Sequence, residues 1–294
     1  MTETQKPQRK IGKTKMGRTL YKYLDVTGAK CMVAYSNLQF TNASQLNDPF
    51  DCSPSLMDYS DIPDSMTHGW IPKEWLMEKE ENDALNLRNA TWLCSLSKVN
   101  DSMLMWSHYC ANHRGICIGL NMDEVKKNYP PMFGTIYLEP LELEVKYQDI
   151  AERRPCNQAS WYFQWETKDK KWEYEQEVRL VVKDPSGMYA ELTMEQAGRK
   201  GEIDWREVRH YMPLKGECFE SIYFGIHIGP ELKEKITNYA LVKLNPNIKI
   251  YQMSIDENAL CLKPILEEIQ IDKNAHLPML KPAKKKFVYK TFRM

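Results

Sequence analysis

No run of about 18 apolar residues occurs anywhere in this chain of 294 residues, so an ordinary membrane-spanning helix is not expected. The opening segment, MTETQKPQRKIGKTK, has no apolar stretch of the kind a secretory signal needs. Neither GxxxxGK[ST] nor GxGxxG is present, which argues against P-loop and Rossmann phosphate binding. There is no CxxC pair and no GxSxG elbow. With no secretion signal, the 8 cysteines read as mostly free thiols in a cytosolic protein. Internal repeats and low-complexity segments are also missing.

The chain is 43% hydrophobic and holds 8 Trp, 16 Tyr and 8 Phe, enough ring surface for a sizeable core. Its net charge of +0 hides an asymmetry. Residues 1–24 carry seven Lys/Arg and one acid, and residues 273–294 carry seven Lys/Arg and none. The intervening segment has 26 basic and 39 acidic side chains. Basic ends on an acidic body can meet nucleic-acid phosphates by counterion release, or can simply be solvated tails. The expected organisation is a disordered basic lead-in over 1–17, a single domain over 18–272 and a basic tail over 273–294.

The pattern of residues predicts strands at 20–24, 38–42, 91–96, 115–120, 133–138, 142–147, 177–183, 220–226 and 249–253. Residues 26–35 suit a short helix or turn. Helices are expected from Pro72 to Arg88 and over 103–110, 122–128 and 230–241. Asn47-Asp48-Pro49-Phe50-Asp51 reads as a turn. Trp161, Trp165, Lys168 and Trp172 have the spacing of one helical face, which could form a protein interface. The mixture lacks a strict βαβ rhythm. It points to an α+β fold with mixed or antiparallel sheets and packed helices.

Three constellations can carry chemistry. In Glu173-Tyr174-Glu175-Gln176-Glu177-Val178-Arg179, strand alternation would place Glu175, Glu177 and Arg179 on one face, the two carboxylates about 7 Å apart. Paired carboxylates beside an Arg can act as acid and base or stabilise positive charge, and nearby rings would perturb them. Alternatively they are the polar face of an edge strand. The second group is Trp106, His108 and Tyr109, followed by His113 and Arg114; alternatively Trp106 and Tyr109 are core rings and His108 a satisfied polar group. A zinc site from Cys94, His108, Cys110, His113 and Cys117 is not expected, because the spacings do not match. The third is Tyr21-Lys22-Tyr23 with the 47–51 turn, where rings flanking a Lys can hold a base near a phosphate. Asp48 and Asp51 would bind a metal or brace the turn.

LYKY, LNDPFD, MWSHYCANHRGICIGL, VKYQDI and KKWEYEQEVRLV, in that order, resemble the domain of unknown function 2971 family over roughly residues 20–230. That resemblance implies a bacterial, cytosolic protein, found partly in defence-associated settings. The arrangement is also similar, more weakly, to ADP-ribosyltransferases, which split NAD at the nicotinamide–ribose bond. This second likeness implies that Glu177 holds the ribose hydroxyl and stabilises an oxocarbenium-like centre, and that Glu175 orients the acceptor. It also implies a nucleotide lined by Tyr21, Lys22 and Tyr109, with Trp106 and His108 nearby. The first strand has no catalytic Arg or His, and the middle strand no Ser-Thr-Ser. The expected activity is NAD cleavage or ADP-ribosyl transfer, as a toxin or phage-defence effector acting on nucleic acid or protein. The alternative is a non-catalytic module that binds nucleic acid, a nucleotide or a protein partner.

Overall fold

The computed structural model describes residues 18–60, 62–129, 140–160, 162–183, 205–207 and 209–269. The expected strand at 133–138, Trp161 and the basic segments 1–17 and 273–294 lie outside the described residues. The first half of the chain contains β1 (Thr19–Leu24), α1 (Val26–Tyr35), β2 (Asn37–Asn42), β3 (Met57–Asp58), α2 (Asp64–Thr67), α3 (Lys73–Asn89), β4 (Thr91–Ser97), α4 (Met103–Tyr109), β5 (Ile116–Asn121) and α5 (Met122–Lys127). Then come β6 (Leu141–Glu144), β7 (Lys146–Gln148), β8 (Arg154–Pro155), α6 (Phe163–Glu166), β9 (Thr167–Asp169) and β10 (Glu177–Lys183). The last elements are β11 (His210–Pro213), β12 (Phe219–Phe224), α7 (Pro230–Tyr239), β13 (Lys249–Asp256) and β14 (Cys261–Leu266).

Side-chain caps mark where the helices begin. Asp25 accepts from Gly28 N at 2.6 Å to start α1, and Asn121 accepts from Asp123 N at 3.0 Å to start α5. Pro230 occupies a first-turn position of α7, where its missing N–H leaves no bond unmade. A ten-stranded sheet runs in the order β11-β2-β4-β1-β5-β12-β13-β14, with β10 on β4 and β6 on β10. Among the described residues only β12 and β13 of this sheet pair in parallel, with α7 between them; its other pairings are antiparallel. The fold is therefore α+β. Among the described residues no helix is long and apolar enough to cross a membrane.

One face of the sheet is closed by α1, α5 and α7. Val33, Val125 and Ile236 from these helices pack on Leu20, Leu96, Ile118, Leu180 and Ile222. The other face carries two smaller apolar clusters. One joins Tyr23, Met105, Trp106, Cys117 and Tyr223; the other joins Ala43, Cys52, Leu93, Trp165 and Val181. Alternation along β10 explains the division. Val178, Leu180 and Val182 point to the helix-covered core, while Glu177, Arg179 and Val181 point to the second face.

Two expectations change. The aromatic stretch is not a single helix: a four-residue α6 gives way to β9, and a 3-10 turn then spans Lys170–Glu175. β9 pairs in parallel with β7, and the Asp169 carboxylate accepts from Lys171 N at 2.8 Å, starting the turn. Trp165 is consequently fully buried, so it presents no stripe to a partner. The strand expected at 142–147 is broken at Val145, whose N–H donates to Glu177 O at 3.0 Å as the chain passes from β6 to β7.

Candidate active site

β4 branches the sheet, and the branch makes a cleft. One edge of β4 is paired with β10 along its whole length, from Glu177↔Ser97 to Lys183↔Thr91. The opposite edge is shared. β2 meets it at Leu93 and Trp92, and β1 meets it at Ser97. Between those contacts, residues 94–96 have no strand partner on that edge among the described residues. Lys22 fills part of the gap, its Nζ donating to Ser95 O at 2.8 Å. A cavity of about 200 Å³ opens here, with Tyr21, Lys22, Tyr23, Asn47, Asp51, Ser95, Ser97, Met105, Tyr109, Lys168, Glu175 and Glu177 in its walls.

The wall's charges form one network. Lys168 Nζ lies 2.5 Å from Glu175 Oε2, 3.2 Å from Glu177 Oε2 and 3.6 Å from Asp51 Oδ2. Its ammonium also sits 4.9 Å from the centre of the Trp172 ring. Behind it, Arg179 is 0% exposed. Its Nε donates to Glu177 Oε1 at 2.9 Å, and one terminal nitrogen donates to Glu177 Oε2 at 3.0 Å and Asp51 Oδ2 at 2.8 Å. The other terminal nitrogen donates to Trp165 O at 2.9 Å and Cys52 Sγ at 3.3 Å. All five guanidinium N–H groups thus find acceptors.

The two glutamates occupy opposite electrostatic situations. Burial alone would raise Glu177, but Arg179 and Lys168 outweigh it and hold its carboxyl well below the usual carboxylate range. For Glu175 burial prevails over the attraction of Lys168, and its carboxyl is raised. Burial would lower Lys168, yet Glu177, Asp51 and Glu175 keep it firmly protonated. Pairs of groups whose environments push their affinities for protons apart are suited to divided acid–base roles.

Glu175 and Glu177 do converge on one site, but not by strand alternation. Glu175 ends the 3-10 turn, Gln176 adopts φ 43° and ψ 53°, and only Glu177 starts the strand. This left-handed residue turns the chain between the two carboxylates. Its neighbours are pinned: Ser97 Oγ donates to Glu175 O at 2.7 Å, Lys98 N to Gln176 O at 3.0 Å and Glu177 N to Tyr147 Oη at 2.8 Å. A β-branched residue resists this conformation. Gln176→Val is therefore expected to lower stability by about 1–3 kcal/mol, whereas Gln176→Gly should change it by less than about 1 kcal/mol. Urea unfolding of both variants measures the difference.

The other expected residues divide. Tyr21, Lys22 and Tyr109 line the cavity, and Tyr109 Oη donates to Glu175 Oε1 at 2.5 Å. Trp106 does not line it. Its ring is 0% exposed, donates to Asn100 O at 2.8 Å and meets Tyr23 edge-on. His108 lies on the exposed side of α4, with Nδ1 3.0 Å from Tyr174 Oη. Adjacent residues on a helix point about 100° apart, so Tyr109 can enter the cleft while His108 stays outside. Arg179 stands beneath the wall, with its donors used. Among the described residues no three His, Cys, Asp or Glu side chains are placed to hold a metal ion. Asp51 braces the turn: Arg179 binds its carboxylate, and Arg88 donates to its carbonyl at 3.1 Å.

Residues 105–180 match the DUF2971 family, proteins of unknown function. No curated protein and no solved structure matches the chain. The DUF2971 segment runs from α4 into β10, and so contains Tyr109, Lys168, Glu175, Glu177 and Arg179. The last three of the five motifs that suggested the family fall within it, save Val181 at the end of the last. LYKY and LNDPFD lie outside it, although β1 and the 47–53 turn complete the same cleft. Sequence reasoning missed Lys168 as the centre of the site. The available signal was a Lys seven and nine residues before the two glutamates, between Trp165 and Trp172, but Lys170 and Lys171 beside it give it no mark of its own.

Proposed function

We propose that the cleft cleaves an N-glycosidic bond, with NAD or a related nucleotide as substrate. The observation that carries this reading is the Glu175/Glu177 pair, held on one lysine with opposite displacements of their proton affinities. Glu177, kept ionised by Arg179, supplies the negative charge that stabilises an oxocarbenium-like centre. The bond between the ribose carbon and the nicotinamide nitrogen breaks, and its electron pair leaves with neutral nicotinamide. Glu175, whose raised affinity suits a general base, takes the proton from the attacking water or acceptor hydroxyl. Tyr21, Tyr23 and Tyr109 offer ring faces and edges, and Lys22 offers a cation to a phosphate. A cavity of about 200 Å³ is smaller than the roughly 300–1,000 Å³ of most ligand pockets. It suits the nicotinamide riboside half, with the remainder of the dinucleotide outside.

The test is nicotinamide release from NAD by purified protein, alone and with RNA, DNA or cell extract as acceptor source. Glu175→Gln keeps the side chain's shape and removes the base. It is expected to slow release by about 10²–10⁴-fold while circular dichroism and thermal melting stay close to wild type. Absence of release by the wild-type protein under every condition would overturn the reading. Full activity in a folded Glu175→Gln protein would remove Glu175 from the reaction.

A further inference from the structure

Helix α4 carries Trp106, His108 and Tyr109, the cluster that first suggested a binding motif, and of these three Tyr109 lines the cleft. Trp106 anchors the helix. It is buried against Tyr23, with ring centres 5.5 Å apart, and its N–H is bound to Asn100 O. Ser102 caps the helix start by accepting from Met105 N at 3.5 Å. The C-terminal end of α4 is then fastened to the end of the 3-10 turn by two consecutive rungs. His108 Nδ1 meets Tyr174 Oη at 3.0 Å, and Tyr109 Oη donates to Glu175 Oε1 at 2.5 Å. The second rung occupies the one Glu175 oxygen that Lys168 does not.

We propose that Tyr109 is the positioning residue of Glu175: its hydroxyl fixes the carboxylate's rotation and stabilises the ionised, proton-accepting form. The proposal rests on the role given to Glu175 above. Each Glu175 oxygen has a fixed partner, Tyr109 on one and Lys168 on the other. The carboxylate is therefore aimed rather than free to spin, as base catalysis requires. Facing Glu175 are Lys168 from β9, Glu177 from β10 and Tyr109 from α4, with Asp51 of the 47–51 turn on the far side of Lys168. Tyr147 of β7 and Tyr174 lie within its field, Arg179 sits behind Glu177, and Lys22 lines the same cavity. Of these, Tyr109 is the neutral donor, so its removal changes Glu175 without adding or deleting a formal charge. A hydrogen bond to the charged form favours that form, so its loss makes Glu175 harder to ionise.

The test compares Tyr109→Phe with wild type in two ways. Carbon-13 NMR of labelled glutamate, with Glu175 identified by its disappearance in Glu175→Gln, follows the carboxyl titration without any substrate. The midpoint is expected at higher pH in Tyr109→Phe. The acid limb of the pH–rate profile for nicotinamide release should move the same way, with about tenfold lower kcat on the acid side of the wild-type midpoint. In the Glu175→Gln background, Tyr109→Phe should add no further loss. Tyr109→Met, which fills the space without a hydroxyl, serves if the phenylalanine protein does not fold. An unmoved Glu175 titration in a folded variant overturns the proposal, whether or not release is detected. Absence of release by the wild-type protein, together with a shifted titration, overturns the reaction assigned above and leaves the positioning role intact.

Discussion

Replacing Arg179 with methionine is expected to lower stability at pH 7 by about 3–5 kcal/mol, among the largest losses a single substitution here can cause. The reason is accounting of charge rather than of contacts. Arg179 is fully buried, and two carboxylates, Asp51 and Glu177, depend on it. Methionine fills most of the volume but leaves both carboxylates buried with only Lys168 between them. Trp165 O and Cys52 Sγ also lose their donor. Arg179→Lys should fail too, though by less. A lysine has three donors on one nitrogen and cannot reproduce a fork that serves five acceptors. Urea denaturation followed by circular dichroism measures both variants. The pH dependence supplies a second check. In wild type the folded Glu177 lies below its ordinary value of 4.5, so its contribution is present above that pH and lost as pH falls. The methionine variant lacks that contribution. The gap between the two proteins should therefore hold above about pH 4.5 and narrow as pH falls below it; a gap that stays constant down to pH 3 would show that Arg179 acts through packing alone.

Lys168→Met is the second large effect. Removing this ammonium leaves Asp51 and Glu177 on the Arg179 guanidinium and Glu175 without its cation, at an expected cost of about 3 kcal/mol at neutral pH. Here the sign for Glu175 is opposite to that for Glu177. Its folded carboxyl already binds protons more readily than an exposed one, and without Lys168 it will bind them more readily still. The folded variant takes up a proton as pH falls, so its stability should recover toward acid pH relative to wild type. Activity at neutral pH should fall, because losing Lys168 raises the share of Glu175 that is protonated and unable to act as a base. Denaturation midpoints at pH 5 and pH 8, read beside nicotinamide release, test both parts. An equal loss of stability at the two pH values would mean that the three carboxylates are not coupled through Lys168.

Much of the architecture is legible locally. β1, β2, β4, β5, β10, β12 and β13 coincide with runs of alternating or continuous apolar residues, and α3, α5 and α7 with capped or Pro-led periodic segments. The failures have physical causes. β11 and β14 end the sheet path among the described residues, with one described strand partner each and weak apolar patterns. The Trp161–Trp172 segment has helical spacing, but pairing of β9 with β7 overrides it. Trp106 and His108 look like ligand-binding side chains because sequence does not say which face of α4 is covered.

The sequence by itself determined the α+β composition, the position of β10, and the inward and outward alternation of Val178, Arg179 and Leu180, since these follow from periodicity and neighbouring residues. It also placed two glutamates and an arginine within five residues. Tertiary structure alone decided their chemistry. Asp51 lies 128 positions from Arg179 and Tyr109 lies 66 from Glu175, yet these pairs share hydrogen bonds. Whether a carboxylate keeps or gives up its proton depends on burial and on which charges arrive from distant segments. That arrival is set by the branching of β4 and the left-handed turn at Gln176, neither of which has a local signature.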